Sequence, residues 1–324
     1  MNAATGQSSD FARTAADYFS DLQARICAAF ESFEPRARFE PKHWSKPDGH
    51  RLQGGGQMRV MRGEVFEKVG VNVSHVWGAF APQHARAQDS AASIVVDSAQ
   101  AHAPHVHERA GSATRPASEV AASTNEPGGP VGLAARRAET GFIASGISLV
   151  AHMTNPYVPA VHMNLRYLRT TQEWFGGGTD LTPTFPFDSD TADFHAALRE
   201  PCEAYRAGAY QQFKEWCDKY FFLPHRNEPR GVGGIFFDEL SSGDRDADFA
   251  FVRGVGEAFL GIYPQLVARR LNTPYDDAAR DRLLVKRGRY VEFNLVYDRG
   301  TKFGFSTDAD PEAYLMSLPP LVKW

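Results

Sequence analysis

The stretch ISLVAHMTNPYVPAVHMNLRY at residues 147–167 decides which fold class this chain can adopt. Apolar side chains occupy every second position in two of its segments, first at 147–153 and again at 161–167. A period of two is typical of β-strands that bury one face. Because the Asn155-Pro156 pair between the segments favours a turn, the stretch predicts a β-hairpin. Trp174-Phe175 then predicts a third strand.

Strand-like alternation is also present on both sides of this hairpin. It predicts further strands at 69–73, 231–240 and 290–297. The last of these is the strongest, with Val291, Phe293, Leu295 and Tyr297 expected on one face and Tyr290, Glu292 and Asn294 on the other. The three consecutive glycines at 54–56 predict a break in the chain before the strand at 69–73.

Helical spacing of apolar residues predicts three helical regions. The first is an amphipathic helix between Phe11 and Phe30. The others are 246–271 and 188–222, where Asp190 is the expected N-cap and Pro201 the expected break between two helices. Hairpin-forming strands beside separate helices favour an α+β fold with an antiparallel sheet. We expect a single domain over residues 1–324.

The segment from about Gln83 to Pro130 differs in composition from the rest of the chain. It is rich in Ala, Ser, His and Pro and contains no Phe, Trp or Tyr. Such a segment buries too little apolar surface to offset its ordering entropy, so we expect a disordered insertion at 83–130. Its histidines at 102, 105 and 107 are expected to be solvated rather than bound to metal.

Composition and charge exclude several functional classes. The 324 residues are 43% hydrophobic, which is enough for a sizeable core, and the formal net charge of -4 gives no overall positive field for nucleic acid. No apolar run is long enough to span a bilayer, and the polar, acidic start of the chain is unlike a targeting segment, which predicts a cytoplasmic protein. The three widely spaced cysteines fit neither a disulfide framework nor a zinc motif, so we expect buried thiols.

One face of the predicted strand at 161–167 carries a row of polar side chains. Period-two spacing places His162, Asn164 and Arg166 side by side. A guanidinium can bind a carboxylate through two parallel hydrogen bonds, so the row is a candidate site for an acidic ligand. An ordinary hydrated sheet face would have the same pattern, and spacing alone does not separate the two interpretations.

Two glycine-containing segments add further candidate residues. In GGGTDLTP, at 176–183, the glycines are expected to form a loop that directs Asp180 into a pocket. The segment is not a phosphate-binding loop, because the GK[ST] ending is missing. In HRNEPRGVGG, at 225–234, a basic loop could be a surface turn or could supply Arg230 to a second carboxylate.

Taken together, these segments resemble the aerobic coproporphyrinogen oxidase family. The resemblance rests on long motifs spread over nearly the whole chain outside the insertion, including FEKVGVNVS, HMNLRY, WFGGGTDLTP, FKEWCDKYFF, RGVGGIFFD, RGRYVEFNLVYDRGTKFG and LMSLPPLVKW. It implies a large, flat antiparallel sheet with helices on both faces, and a homodimer. It also implies oxidative decarboxylation of two propionates of coproporphyrinogen III to vinyl groups, which gives protoporphyrinogen IX in haem biosynthesis with O2 as the oxidant and no required cofactor.

The resemblance also assigns roles to individual residues. It implies that substrate contacts come from Ser148, Asn164, Leu165, Arg166 and Arg230, and that chemistry is carried by Asp180, His162 and Arg166. Which of Asp180 and His162 is the base stays open. A divalent metal on His152, His162, His195 and His225 is an alternative that we do not favour, because these residues lie on different predicted elements and no acid neighbours His162 in its strand. Residues 290–324 match the region tied to dimerisation.

Two other classes of function remain as alternatives. One is a porphyrin-binding carrier without turnover, and the other is a metal-dependent hydrolase built on the four histidines. Incubation with coproporphyrinogen III in air discriminates between an oxidase and a carrier, since only the oxidase forms product.

Overall fold

A seven-stranded sheet runs through the part of the chain that the computed structural model describes, residues 3–48, 52–79, 141–306 and 310–324. Its strands in spatial order are β1 (Glu40–Ser45), β2 (Leu52–Met61), β3 (Phe66–Ala79), β4 (Gly141–Met153), β5 (Ala160–Arg169), β6 (Glu173–Thr182) and β9 (Gly233–Leu240). The pairings β1–β2, β2–β3, β4–β5, β5–β6 and β6–β9 are all antiparallel. The predicted α+β class with a large antiparallel sheet is confirmed, as is the hairpin at 147–167.

Helices cover both faces of this sheet. The helices are α1 (Ala3–Glu31), α2 (Asp188–Tyr205), α3 (Ala209–Tyr220), α4 (Arg245–Arg270), α5 (Asp277–Val296), α6 (Arg299–Ser306) and α7 (Pro311–Leu315). On one face, α1 and α4 pack on β4, β5 and β6. On the other, the ring of Tyr290 in α5 lies edge-on to His152 of β4, and Asn72 of β3 donates a hydrogen bond to the carbonyl of Ala313 in α7.

The alternation along β5 separates the two faces by polarity. Val161, Met163, Leu165 and Tyr167 are fully buried in the main hydrophobic core beneath α1 and α4. The intervening side chains of β5 are only half-buried and point to the opposite side. We call this opposite side of β4, β5, β6 and β9 the polar face. Aromatic pairs such as Phe30 with Phe66 and Phe175 with Phe249 fill the core and fix the position of the sheet against the helices.

The predicted strand at 290–297 is wrong, because these residues form the last two turns of α5. The helix begins after Asp276, whose carboxylate accepts a hydrogen bond from the backbone N–H of Ala279. Its buried positions recur at helical spacing, at 283, 287, 290, 291 and 294. Leu295, which the alternation placed on a buried face, is 43% exposed.

Two smaller predictions are also corrected. Gly54–Gly56 do not break the chain but lie within β2, where a Cβ at Gly56 would stand 2.2 Å from the carbonyl oxygen of Val73. Pro201 lies inside α2, and the chain instead turns before Gly208, which has φ +77°. Asp190 is not an N-cap but lies in the first turn of α2, where Arg269 and Arg270 bind it.

Several predictions concern the chain as a whole. Residues Met1–Gly78 and Gly141–Trp324 form one compact unit, and the insertion predicted at 83–130 lies outside the described residues. The expectation of a single domain therefore stays a prediction. Cys27, Cys202 and Cys217 are buried free thiols, as expected. Among the described residues, no helix has the length and apolar character needed to cross a membrane.

Candidate active site

The polar face brings together side chains from three neighbouring strands. His162 of β5 lies directly opposite Asp180 of β6, and the Nδ1 atom of His162 is 2.9 Å from Oδ1 of Asp180. On the other side of β5, Ser148 of β4 lies opposite Asn164. Antiparallel register thus collects into one row residues that are up to 32 positions apart in sequence.

Asp180 lies in a strand and not in the predicted loop. Gly176, Gly177 and Gly178 belong to β6, and their role is to leave space rather than to form a turn. A Cβ at Gly176 would lie 2.6 Å from both Nε of Arg166 and Oδ1 of Asp238. The absent side chain lets the guanidinium of Arg166 lie across β6 and reach β9.

A short hairpin delivers Arg230 to Asp180. Strands β7 (Phe222–Leu223) and β8 (Glu228–Pro229) pair with each other, and the backbone N–H of Arg230 donates to the carbonyl of Phe221. The guanidinium then lies 3.9 Å above the ring of Phe221 and 4.6 Å from the rings of both Tyr290 and Phe293. These aromatic faces stabilise a cation that is only 2% exposed.

Asp180 and Arg230 form a buried ion pair. Nη2 of Arg230 is 2.6 Å from Oδ1 of Asp180, and Nε is 3.2 Å from Oδ2, so the guanidinium binds both carboxylate oxygens. Burial alone would raise the pKa of Asp180, but the charge of Arg230 and the hydrogen bond from His162 outweigh it and hold the pKa below its usual value. Asp180 is therefore an anion at neutral pH.

The charge on Asp180 determines how His162 is oriented. Because a carboxylate only accepts hydrogen bonds, Nδ1 of His162 carries the proton that Asp180 accepts. In the neutral imidazole, Nε2 is then the basic nitrogen, and it lies 3.5 Å from Nδ2 of Asn164. The side chain of His162 is 14% exposed whereas Asp180 is 1% exposed, so His162 is the member of the pair that a ligand on the polar face can reach.

A second carboxylate anchors the arginine of β5. Asp238 of β9 accepts hydrogen bonds from Nη2 of Arg166 at 2.7 Å and from Nη2 of Arg299 at 2.9 Å. Burial would raise the pKa of Asp238, yet the two guanidinium charges lower it. The strand pairing shifts register beside Asp238, and the neighbouring Glu239 has φ +51°. Arg166 remains 29% exposed and so keeps donors available on the polar face.

Some site residues were not identified from the sequence. Asn294 accepts a hydrogen bond from Nη1 of Arg230, but the predicted strand at 290–297 had concealed its position on a helix. Alternation within the predicted strand at 231–240 places Asp238 on the same face as Phe236, but only the pairing of β9 with β6 brings that face to Arg166. Nothing in the local sequence marked Arg299.

The four histidines considered as metal ligands have separate partners. His152 is buried and donates from Nε2 to the carbonyl of Ser317, and burial lowers its pKa to about 3. His195 lies between the carbonyl of Val232 and the hydroxyl of Tyr210. The remaining two contact different acids, since His162 binds Asp180 and His225 binds Glu292.

These contacts do not fit a shared metal site. Among the described residues, no group of three or more His, Cys, Asp or Glu side chains is placed to hold a metal ion. No acid neighbours His162 within its own strand, but Asp180 orients it from the neighbouring strand, a contact that the sequence analysis did not foresee.

Comparison with known proteins identifies the family to which this site belongs. The family model described as coproporphyrinogen III oxidase matches residues 14–324. The chain belongs to the coproporphyrinogen III oxidase family. Its relatives include proteins named oxygen-dependent coproporphyrinogen-III oxidase from Rickettsia bellii (strain OSU 85-389), 44% identical over 95% of this chain and 96% of the relative. The protein of that name from Rickettsia akari (strain Hartford) is 43% identical over 95% of this chain and 96% of the relative. The one from Rickettsia felis is 43% identical over 96% of this chain and 97% of the relative.

The structure places the expected substrate-binding residues in three different settings. Ser148, Asn164 and Arg166 lie together on the polar face. Leu165 points to the opposite face and is fully buried in the core, so only its main chain adjoins the site. Arg230 is buried against Asp180, and its direct contact with a substrate carboxylate stays a prediction.

Proposed function

We propose that this chain catalyses the oxygen-dependent oxidative decarboxylation of coproporphyrinogen III to protoporphyrinogen IX. The observation that carries the proposal is the ionised Asp180 buried between Arg230 and a partly exposed His162, on a sheet face that also presents Arg166. The Rickettsia relatives bear the name of this enzyme. A reactive centre that combines acid–base groups with a carboxylate-binding cation matches a substrate that carries four carboxylates.

Arg166 is the residue that we assign to a substrate carboxylate. The protein has a net charge of -4, so an acidic substrate needs local cations. Asp238 binds Nη2 of the Arg166 guanidinium and Asn164 accepts from Nη1 at 3.2 Å, while the side chain stays partly exposed to a ligand. Ser148 and Asn164 flank this position and supply a hydroxyl and an amide as further hydrogen-bonding groups.

His162 is the group that we assign to proton exchange with the substrate. Asp180 fixes its ring through Nδ1, which leaves Nε2, beside the amide of Asn164, to take a proton from a pyrrole N–H. Asp180 then stabilises the imidazolium that forms, and Arg230 keeps Asp180 ionised. We assign the role of base to His162 rather than to Asp180, because the side chain of Asp180 is less accessible to a substrate.

The reaction can be balanced without another oxidant. Each propionate loses its carboxylate as CO2 and one β-hydrogen, and the two electrons released reduce O2. With one proton taken up, each propionate and one O2 give one vinyl group, one CO2 and one H2O2. The deprotonated porphyrinogen is electron-rich and can react with O2 directly to form a ring peroxide. The peroxide takes the β-hydrogen as a proton and leaves as H2O2 when its C–O bond to the ring breaks and a further proton is taken up. The C–C bond to the carboxylate then breaks to release CO2, and its electron pair completes the vinyl group and restores the pyrrole. We therefore propose that no cofactor is required.

The proposal extends to assembly as a homodimer. Apolar side chains at the carboxyl end of α5 and in the C-terminal segment are exposed, namely Leu295, Val296, Leu321 and Trp324. They lie in the part of the sequence, 290–324, that resembles the dimerisation region of the family. Burial of exposed apolar residues is a usual basis for subunit association. Sedimentation velocity measures the mass in solution, and a purely monomeric protein would overturn the dimer.

The proposed function is tested by incubating the protein with coproporphyrinogen III in air and under argon. We expect the tricarboxylic intermediate and then protoporphyrinogen IX in air only, with CO2 and H2O2 in equal amounts. Binding without product would make the protein a carrier. A second sample, treated with a strong chelator and verified metal-free by elemental analysis, is expected to keep full activity. Loss of activity that one divalent ion restores would overturn the proposal that no metal is needed.

A further inference from the structure

A chain of hydrogen bonds extends from Asp180 through Arg230 and α5 into the C-terminal segment. Nη1 of Arg230, the nitrogen that does not contact Asp180, is 3.2 Å from Oδ1 of Asn294 in α5. Nδ2 of Asn294 is in turn 3.1 Å from Oγ of Ser317. Both Arg230 and Asn294 are buried, at 2% and 5% exposure, so water has little access to these hydrogen bonds.

The position of Ser317 is itself fixed from a third element. Its carbonyl oxygen accepts a hydrogen bond from Nε2 of His152 in β4. The segment on either side of Ser317 contacts β3, since Met316 lies against Gly70 and the carbonyl of Leu318 accepts from Lys68. The main chain at Ser317 is therefore held by the sheet and does not depend on Asn294 for its place.

From these contacts we infer that Asn294 is a positioning residue that holds Arg230 in the orientation in which it binds Asp180. The inference rests on the proposed function, because it concerns the same reactive centre. Attraction to the faces of aromatic rings holds a guanidinium between them but does not select which of its N–H groups point to a given acceptor. The hydrogen bond from Nη1 to Asn294 supplies that selection, so that Nε and Nη2 both face Asp180. The side-chain hydrogen bonds of Asn294 join Arg230 to Ser317, so its influence on Asp180 passes through Arg230.

Loss of the Asn294 contact has a distinct effect on acid–base behaviour. The groups that face Asp180 or Arg230 are His162 of β5, Cys217 of α3, Tyr290 of α5 and Asp298 after α5. Of the charged groups around Asp180, Arg230 is the permanent cation, and its charge lowers the pKa of Asp180. If Arg230 turns away, the pKa of Asp180 rises, and the carboxylate that orients His162 is lost at a higher pH than in the wild type.

The test compares Asn294→Leu with three other variants. Asn294→Leu replaces the amide by an apolar side chain of similar size and so removes the acceptor for Arg230. Asn294→Asp keeps the acceptor Oδ1, and the hydroxyl of Ser317 can turn to donate to the new carboxylate. Ser317→Ala removes only the hydroxyl. The matched control is Asn155→Leu, which removes another buried amide, one that lies between β4 and β5 and donates to the carbonyls of Leu271 and Thr273.

We expect Asn294→Leu to lower kcat at least tenfold with KM changed less than threefold, and to move the acid limb of the kcat profile to higher pH. Asn294→Asp should recover most of kcat, Ser317→Ala should show a smaller loss of the same kind, and Asn155→Leu should lower the melting temperature without moving the pH profile. A crystal structure of Asn294→Leu should show at least one of the two Arg230–Asp180 hydrogen bonds broken. Wild-type kinetics, or both hydrogen bonds intact, would overturn the inference.

The crystal structure also separates this inference from the proposed function. If the wild-type protein does not turn over coproporphyrinogen III, the proposed function fails. The geometry of Arg230 in Asn294→Leu then decides alone whether Asn294 positions it.

Discussion

At the scale of single residues, the buried pair of Asp180 and Arg230 links stability to function. The sequence predicts a loop aspartate at this position, but Asp180 is 1% exposed and lies in a strand. Its removal leaves the Arg230 cation buried without its counterion. Breaking a buried ion pair in this way costs about 3–5 kcal/mol.

Asp180→Ala is therefore expected to lose both activity and stability. Urea unfolding should show a free energy of unfolding lower by about 3–5 kcal/mol, and kcat should fall by about 10²-fold or more because His162 loses its orienting carboxylate. The double variant Asp180→Asn with Arg230→Met should regain stability but not kcat, since the buried charge is gone but the orienting anion is not restored. An Asp180→Ala protein as stable as the wild type would contradict the ion pair.

Arg166→Ala is expected to affect binding more than folding. Arg166 is 29% exposed and Asp238 keeps Arg299 as a partner, so no buried charge is left alone. A lost hydrogen bond to a charged group costs about 1.5–3 kcal/mol, which corresponds to a KM raised roughly 10- to 100-fold. Steady-state kinetics on the tetracarboxylate substrate measures this, and unchanged KM and kcat would remove Arg166 from the site.

At the scale of elements, β6 illustrates how glycines serve the site. A Cβ at Gly176 would collide with the Arg166 guanidinium and the Asp238 carboxylate at 2.6 Å. Gly176→Ala should therefore displace Arg166 and raise KM by about as much as Arg166→Ala does, while the strand still forms. Gly261→Ala in α4 is the control, because a Cβ there meets no atom within 4 Å and should stabilise the helix by up to about 1 kcal/mol. Equal kinetics for the two glycine variants would contradict this role of Gly176.

Some elements of this fold were predictable from the sequence, and others were not. Strands with one buried face, such as β4 and β5, were predictable because each alternates between core and polar face. The end of α5 was not, because Val291, Phe293 and Leu295 happen to alternate in sequence although Leu295 faces solvent. The cap at Asp276 was a usable signal that a helix begins there. Pairing between β6 and β9 and the approach of Arg230 depend on tertiary contacts, which a single sequence does not specify.

At the scale of the whole molecule, burial of His152 connects stability to pH. Burial lowers the pKa of His152 from 6.5 to about 3, so the folded protein keeps this imidazole neutral while the unfolded chain protonates it. The unfolded state thus binds more protons between about pH 6.5 and pH 3, and stability falls as the pH is lowered through that window. One such group contributes a slope of up to about 1.4 kcal/mol per pH unit.

His152→Gln isolates this contribution. The glutamine amide does not titrate and can still donate to the carbonyl of Ser317. We expect the free energy of unfolding of the wild type to decrease between pH 6.5 and pH 4.5 more steeply than that of the variant, by up to about 1.4 kcal/mol per pH unit. Parallel curves from urea titrations at several pH values would show that His152 is not held neutral in the folded protein.

The most direct test of the central claim is the rate at which the wild type and His162→Asn convert coproporphyrinogen III to protoporphyrinogen IX in air. The variant leaves the Asp180–Arg230 pair intact, so we expect an unchanged melting temperature. Positioned acid–base groups accelerate a reaction by about 10²- to 10⁴-fold, so kcat of His162→Asn should fall by that factor. The wild type should release one CO2 for each vinyl group formed. A folded variant that turns over at the wild-type rate would contradict the claim that His162, oriented by Asp180, carries the chemistry.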